Sequence, residues 1–368
     1  MADDAPKRET ADTGPATRPL AAALARLLRE TRWPLIALGA LVAIGALAAP
    51  GFIGVEIRDG RLFGTPIDIL NHGSKVAIVA LGMTLVIATG GVDLSVGAVV
   101  AIAAATLATL VSEYGVPWPL AVLAALAVGF LAGCWNGLLV TLLRLQPIVA
   151  TLVLMVAGRG IAQLVTGGLI VTVREPAIAA IGNGSLLGLP STAWILLVVA
   201  ALLGAITRRT ALGLLVEAVG DNDAASRLAG VPERWVRLAA YAACGTCAGI
   251  AGLIDCSYIN AADVNNAGQL LELDAILAVV IGGTALTGGR FSLVGSVIGA
   301  MLMQTLTKLL YMLDVSADIA PAPKALMVLG VCLLQSPRLR AAIAARIGRG
   351  PGAPADRATN AQADRGQA

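Results

Sequence analysis

Hydrophobic and polar positions fall in long blocks along this chain, and apolar runs separated by short polar segments recur from Trp33 to Gln335. A helix needs about 20 apolar residues to cross the hydrocarbon core of a bilayer. The pattern therefore predicts an all-α integral membrane protein with about ten spanning helices, some of them broken by glycine. We place these spans at 33–50, 74–90, 94–111, 119–143, 148–166, 191–207, 237–258, 273–289, 291–311 and 322–335.

Composition supports a lipid environment. The chain is 57% hydrophobic and only 13% charged, whereas a soluble domain carries about 25% charged residues. Its 42 glycines suit membrane helices, which approach closely at small residues. The net charge of +3 gives no reason to expect a nucleic-acid partner.

Charge divides the chain into three parts, which are a polar, Arg-rich tail at 1–32, a membrane domain at 33–335 and a Gly- and Arg-rich tail at 336–368 that we expect to be disordered. Arg residues are concentrated in both tails and in the loop 208–236. Because cytoplasmic segments of membrane proteins are enriched in Lys and Arg, we predict that both termini and this loop are cytoplasmic.

A break in the apolar pattern occurs where Gly90 and Gly91 are followed by Asp93 and Ser95. Two glycines interrupt a helix, and an acidic residue then stands where the next helix begins, so Asp93 is a candidate helix cap. A carboxylate at membrane depth is also a candidate member of a transport path. We favour the cap and leave the second interpretation open.

The segment GGVDLSVGAVV, which starts at Gly90, is similar to GGRFSLVGSVI, which starts at Gly288. Both segments begin with two glycines and have a further glycine seven residues later. Internal repeats are common in transporters. Chance similarity in a chain rich in glycine and valine is an equally good explanation.

The longest polar stretch between two spans includes EAVGDNDAASRLAGVPERW, from Glu217 to Trp235. We expect a short helix from Ala224 to Ala229, ended by the Gly-Val-Pro that follows. This segment is a candidate docking site for another protein, with small residues for close approach and charged residues for orientation, although an ordinary interfacial helix is the alternative. The candidate residues are Glu217, Gly220, Ala224, Ala225, Arg227 and Gly230.

Polar uncharged side chains within the spans are candidates for a substrate pathway, because an amide both donates and accepts hydrogen bonds. The alternative for each is a hydrogen bond between helices. The sequence contains no GxxxxGK[ST] phosphate loop, no GxSxG, no HExxH and a single histidine, so we predict no catalytic residues, no bound cofactor and no metal site. The pathway candidates are Asn71, Asn136, Gln163 and Gln304.

Three long blocks resemble one family. GMTLVIATGGVDLSVGAVVAIAAA at 82–105, EAVGDNDAASRLAGV at 217–231 and ELDAILAVVIGGTALTGGRFSLVGSVIGA at 272–300 are similar to blocks of sugar ABC importer permeases of the ribose type. Within that family, the stretches at 59–70, 146–168 and 265–283 look nearest to permeases of galactofuranose importers.

This resemblance implies the ABC importer permease fold in the bacterial inner membrane and a transport subunit that is not itself an ATPase. It also implies three partners. These are cytoplasmic ATP-binding subunits that grip 217–231, a periplasmic sugar-binding protein, and a second permease subunit, either a copy of this chain or a paralogue. The alternative from the residues alone is a stand-alone secondary transporter or channel for a small polar solute.

Overall fold

The structure is a computed structural model that describes residues 19–58, 60–316, 319 and 321–335. The described residues form thirteen helices, and five of the helices from α2 onward have proline in their first turn, where its missing N–H costs nothing. The helices are α1 Pro19–Ala48, α2 Thr65–Ala88, α3 Val96–Ser112, α4 Trp118–Thr141, α5 Pro147–Val165, α6 Pro176–Asn183, α7 Ser191–Arg209, α8 Leu212–Asp221, α9 Asp223–Leu228, α10 Glu233–Ile259, α11 Leu271–Ile281, α12 Leu293–Met312 and α13 Pro321–Gln335.

Six short strands pair as three antiparallel ladders in the described residues. The all-α prediction is corrected by these strands, although helices dominate the fold. The first ladder is a hairpin before α2, in which Val55 pairs with Gly64. The other two connect segments near the ends of helices. The strands are β1 Val55–Arg58, β2 Arg61–Gly64, β3 Val171–Thr172, β4 Ser185–Leu186, β5 Leu189–Pro190 and β6 Ala261–Ala262. The β1–β2 pair is called the hairpin below.

Seven helices are long and apolar enough to cross a membrane, namely the apolar part of α1 at Thr31–Ala48 and the helices α2, α4, α5, α7, α10 and α12. Every predicted span contains a helix, but ten full-length spans are not confirmed. Helix α3 has 17 residues and α11 only 11, so α11 covers only part of the predicted eighth span, 273–289. Helix α11 ends where Gly282 packs against the backbone of Gly295, and non-helical chain follows it.

The chain divides into a unit at 1–314, which contains α1 to α12, and a unit at 315–368, which contains α13. In the first unit, α2, α3 and α10 lie at the centre and are mostly buried. Helices α4, α5 and α7 lie outside them and expose many large apolar side chains, as expected where lipid replaces water. Residues 1–18 and 336–368, including the predicted disordered tail, lie outside the described residues.

The bundle of the first unit has two ends, named here for orientation. The hairpin face is the end where β1–β2 lies and where α10 ends. The α9 face is the opposite end, where α7 ends and α10 begins. Helix α2 begins nine residues before the predicted span. Two of its residues near the hairpin face form ion pairs, Asp68 with Lys308 at 2.7 Å and Lys75 with Asp255 at 2.5 Å.

Candidate functional site

Helix α9 is a short element at the α9 face, between α8 and α10. The side chain of Asn222 caps it by accepting a hydrogen bond from the N–H of Ala225 at 2.9 Å. Gly230, with φ of 81°, turns the chain after the helix ends. The prediction of a short helix in this segment is confirmed, with bounds of Asp223–Leu228.

The outer surface of α9 is exposed among the described residues of the first unit. Ala224 and Ala225 are exposed, and Leu228 is 91% exposed. On the charged side of α9, Arg227 forms ion pairs with Asp223 at 3.4 Å and with Glu233, the first residue of α10, at 3.3 Å. Helix α9 therefore presents a small, mostly apolar surface while its charged side is tied to α10.

Helix α8, in contrast, packs inward. Gly220 leaves no room for a side chain, because a β-carbon there would overlap the carbonyl of Ala88 and lie 2.5 Å from the nitrogen of Gly289. Gly220 therefore makes its close approach within the chain, and its role in ATPase coupling stays a prediction. Glu217 lies on α8 and is half-buried.

The two similar glycine segments meet beneath α8. Gly90 has φ of 78° and Gly288 has φ of 90°, a region that favours glycine. A β-carbon on Gly288 would lie 3.0 Å from the nitrogen of Gly90. The N–H of Gly289 also donates to the carbonyl of Ala88 at 2.9 Å. The breaks before α3 and α12 are thus in contact with each other and with Gly220.

A buried polar cluster joins the first of these breaks to α4. Asp93 is 1% exposed, and its Oδ1 accepts from the Ser95 N–H at 2.9 Å and from the Ser95 hydroxyl at 2.7 Å. Nδ2 of Asn136 donates to Ser95 Oγ at 2.8 Å and to Asp93 Oδ1 at 3.3 Å. Ser95 is the N-cap residue of α3, so Asp93 holds the residue before the helix rather than its first turn. Gly91 packs nearby, against the hydroxyl of Tyr241.

The four pathway candidates differ in exposure. Asn136 is fully buried in the cluster just described, so it does not face a path in this conformation. Asn71 is half-buried and accepts from Thr192 and Tyr258, which links α2 to α7 and α10. Gln304 is half-buried next to Gly73. Gln163 is exposed, and its Nε2 donates to Oδ1 of Asn265 at 3.1 Å.

The structure also brings together charged residues that sequence reasoning did not combine. A cavity of about 400 Å³ opens at the α9 face between the Gly90 break and α9. Its members come from four separate segments, so no local spacing signals them. The arginines that line it are Arg144, Arg227, Arg234 and Arg237. Arg144 adopts a left-handed backbone with φ of 52° in the loop between α4 and α5.

Among the described residues, no group of three His, Cys, Asp or Glu side chains could hold a metal ion. The expectation that this chain binds no metal and no cofactor stays a prediction.

A bundle of seven helices that are long and apolar enough to cross a membrane defines the class as a multi-pass membrane protein. Comparison with known proteins gives the family. Residues 65–336 match the family described as "Branched-chain amino acid transport system / permease component", and the chain belongs to this family. No solved structure matches the chain significantly.

Three similar proteins are permeases for sugars. The chain is 50% identical over 315 residues to the galactofuranose transporter permease protein of Escherichia coli K12, covering 84% of this chain and 92% of that one. It is 41% identical to the fructose import permease protein of Bifidobacterium longum, covering 83% and 88% of the two chains. Identity to the ribose import permease protein of Escherichia coli K12 is 37%, covering 82% and 92%. These matches confirm the resemblance to ribose-type permeases and make the chain a transport component rather than an enzyme.

Proposed function

We propose that this chain forms the membrane pathway of an ATP-driven importer for a small neutral sugar of the galactofuranose or ribose type. The observation that carries the proposal is the 50% identity to a galactofuranose transporter permease over 84% of this chain and 92% of that one. A periplasmic binding protein delivers the sugar, and a second permease subunit, identical or paralogous, completes the pathway. The broader family description includes amino-acid systems, so the substrate class needs a direct test.

The membrane arrangement follows from charge. The α9 face is rich in arginine, with Arg208, Arg209, Arg227, Arg234 and Arg237 between the end of α7 and the start of α10. By the positive-inside rule this face is cytoplasmic, and the hairpin face is periplasmic. In this arrangement the chain crosses the membrane ten times. Helix α11 and the non-helical chain after it together make the eighth crossing, and α13 makes the tenth. Both termini are then cytoplasmic in the bacterial inner membrane.

Coupling runs through α9 and α8. The exposed apolar side of α9 docks into a cleft of a separate ATP-binding subunit. Helix α8 moves together with α9 for two reasons. The two helices are adjacent in the chain, and the Ser226 hydroxyl of α9 donates to the Ala218 carbonyl of α8 at 2.8 Å. Gly220 on α8 presses against both glycine breaks. Movement of α9 during ATP binding and hydrolysis thereby reaches α2, α3 and α12, which switch the pathway between outward and inward access.

Substitution of Ala225 by Trp tests this coupling. Ala225 is exposed, so the bulky side chain fits the isolated permease, but at a packed contact with an ATPase it costs roughly 1–3 kcal/mol. We expect a folded, membrane-inserted permease that has lost ATPase assembly and sugar-stimulated ATP hydrolysis. Both are measured by co-purification and by phosphate release in proteoliposomes.

The matched control is Ser185→Trp, an exposed position in the β4–β5 ladder at the opposite face, which we expect to leave assembly unchanged. Full uptake by Ala225→Trp would mean that α9 is an interfacial helix and that the ATPase docks elsewhere. Uptake by the permease alone under an ion gradient would instead establish a secondary transporter.

A further inference from the structure

The cavity of about 400 Å³ at the α9 face, called the α9-face cavity below, carries an excess of positive charge. Four arginines line it together with only two carboxylates, those of Asp223 and Glu233, which leaves two positive charges unbalanced. The positive-inside rule explains why arginine is common at this face, but it does not require arginines from separate segments to line one cavity. The volume falls within the range of about 300–1,000 Å³ that is usual for small-molecule sites.

The two carboxylates are shared among three of the arginines. Asp223 pairs with Arg227 at 3.4 Å and with Arg237 at 3.3 Å. Glu233 pairs with Arg227 at 3.3 Å and, at the longer distance of 4.0 Å, with Arg234. A guanidinium carries five N–H donors, and a shared carboxylate satisfies only some of them. These three arginines therefore keep donors for a further anionic acceptor.

The fourth arginine, Arg144, reaches the cavity from the loop between α4 and α5. It is exposed, and its guanidinium forms no ion pair and no hydrogen bond with the described residues. Its φ of 52° is uncommon for arginine, and backbone outliers of this kind concentrate at functional sites. Gln146 and Pro147 bring the first turn of α5 to the same cavity, where the positive end of the helix dipole also favours an anion.

We propose that the α9-face cavity binds a phosphate monoester, which bridges Arg144 to the arginines around α9. Guanidinium groups bind phosphate through pairs of parallel N–H···O bonds. A phosphate monoester carries a charge of about −1.5 to −2 at neutral pH, which balances the excess of positive charge in the cavity. Two sources present this group at a membrane surface, namely a soluble phosphate monoester and the headgroup of phosphatidic acid.

A phosphate held in this cavity joins the α4–α5 loop to α9. Because α9 is the element that we propose to move with the ATP-binding subunit, the ligand should hold α9 in place and slow import. This effect on transport rests on the proposed function, whereas binding to the isolated permease does not.

Binding by the purified full-length permease tests the site. D-ribose 5-phosphate is titrated into the permease in detergent by calorimetry, with D-ribose as the uncharged comparison. For the lipid source, the Tm is compared between nanodiscs of phosphatidylcholine alone and nanodiscs that also contain phosphatidic acid. We expect Arg144→Asn to weaken the affinity for D-ribose 5-phosphate about tenfold, or to abolish a rise in Tm with phosphatidic acid, because it removes a charge-assisted contact. Asparagine tolerates the left-handed backbone at this position.

The matched control is Arg209→Asn, which removes one exposed arginine from the same face outside the cavity and should leave both responses unchanged. If Arg144→Asn does not fold, Arg234→Gln makes the same test from α10. A response to one probe alone identifies the source of the phosphate. The site is overturned if the wild type responds to neither probe, or if it responds no more strongly than folded variants of the cavity.

The effect on transport is measured with the importer reconstituted in proteoliposomes. At a saturating concentration of the probe that binds, we expect initial sugar uptake to fall about fivefold in the wild type and clearly less in Arg144→Asn. Binding without this inhibition would overturn the restraint on α9 and leave the site. A complex that imports no sugar although its permease binds phosphate would overturn the proposed function alone.

Discussion

Asp93 shows how much of a single residue's role depends on partners that are distant in the sequence. An acidic residue after two glycines in an apolar run is conspicuous, and its link to the start of the next helix follows from local spacing. Its bond to Asn136 joins residues 43 positions apart, which no local pattern reveals. The fully buried cluster supports the structural interpretation that we favoured, and the transport alternative stays testable.

Substitution of Asp93 separates the two interpretations. Asp93→Asn keeps an acceptor for Ser95, so we expect a folded protein with little loss of stability. Asp93→Leu leaves the Ser95 N–H and hydroxyl and the Asn136 amide without this acceptor, and each unsatisfied buried group costs about 1–3 kcal/mol. Thermal unfolding in detergent should show a clearly lower Tm for Asp93→Leu. If that variant melts like the wild type and yet abolishes uptake, Asp93 belongs to the transport path.

At the scale of elements, glycine sets how closely helices pack. Helices α4 and α10 cross where Gly129 and Gly133 face Gly245, and a β-carbon on Gly129 would lie 2.5 Å from the Gly245 carbonyl. Small residues four apart create such contacts in membranes. The i, i+4 spacing of Gly129 and Gly133 is visible in the sequence, but the identity of the partner helix is not, because most helices here carry similar small residues.

The α4–α10 contact makes a direct prediction. Gly129→Leu forces the two backbones apart, and we expect overpacking of roughly 1–3 kcal/mol or more, seen as a lower Tm and poorer recovery of folded protein in detergent. Gly204→Leu on α7 is the control, because no atom lies within 4 Å of a β-carbon there. Equal stability of the two variants would show that this crossing does not hold the bundle together.

For the whole molecule, the distribution of arginine predicts orientation. We expect reporter domains fused at residue 10 and after residue 340 to report cytoplasm, because both tails and the α9 face are basic. Paired phosphatase and fluorescent-protein fusions measure this in intact cells, with a fusion at Ser185 in the β4–β5 ladder as the periplasmic control. A periplasmic signal from either terminus would require an odd number of crossings.

The sequence by itself determined the membrane class, the helical character of the predicted spans, a short helix at about 224–229 and the family. Each of these follows from information local in the chain, namely the length of an apolar run, the residues that cap a helix, or a contiguous motif. Only the tertiary structure decided that α11 is short, that Gly220 contacts the two glycine breaks, and that Arg159 and Asp255 hold the backbone between α10 and α11. These features depend on which helices are neighbours and at what depth, and in a chain of similar apolar helices that choice is made by close packing and buried hydrogen bonds between residues far apart in sequence.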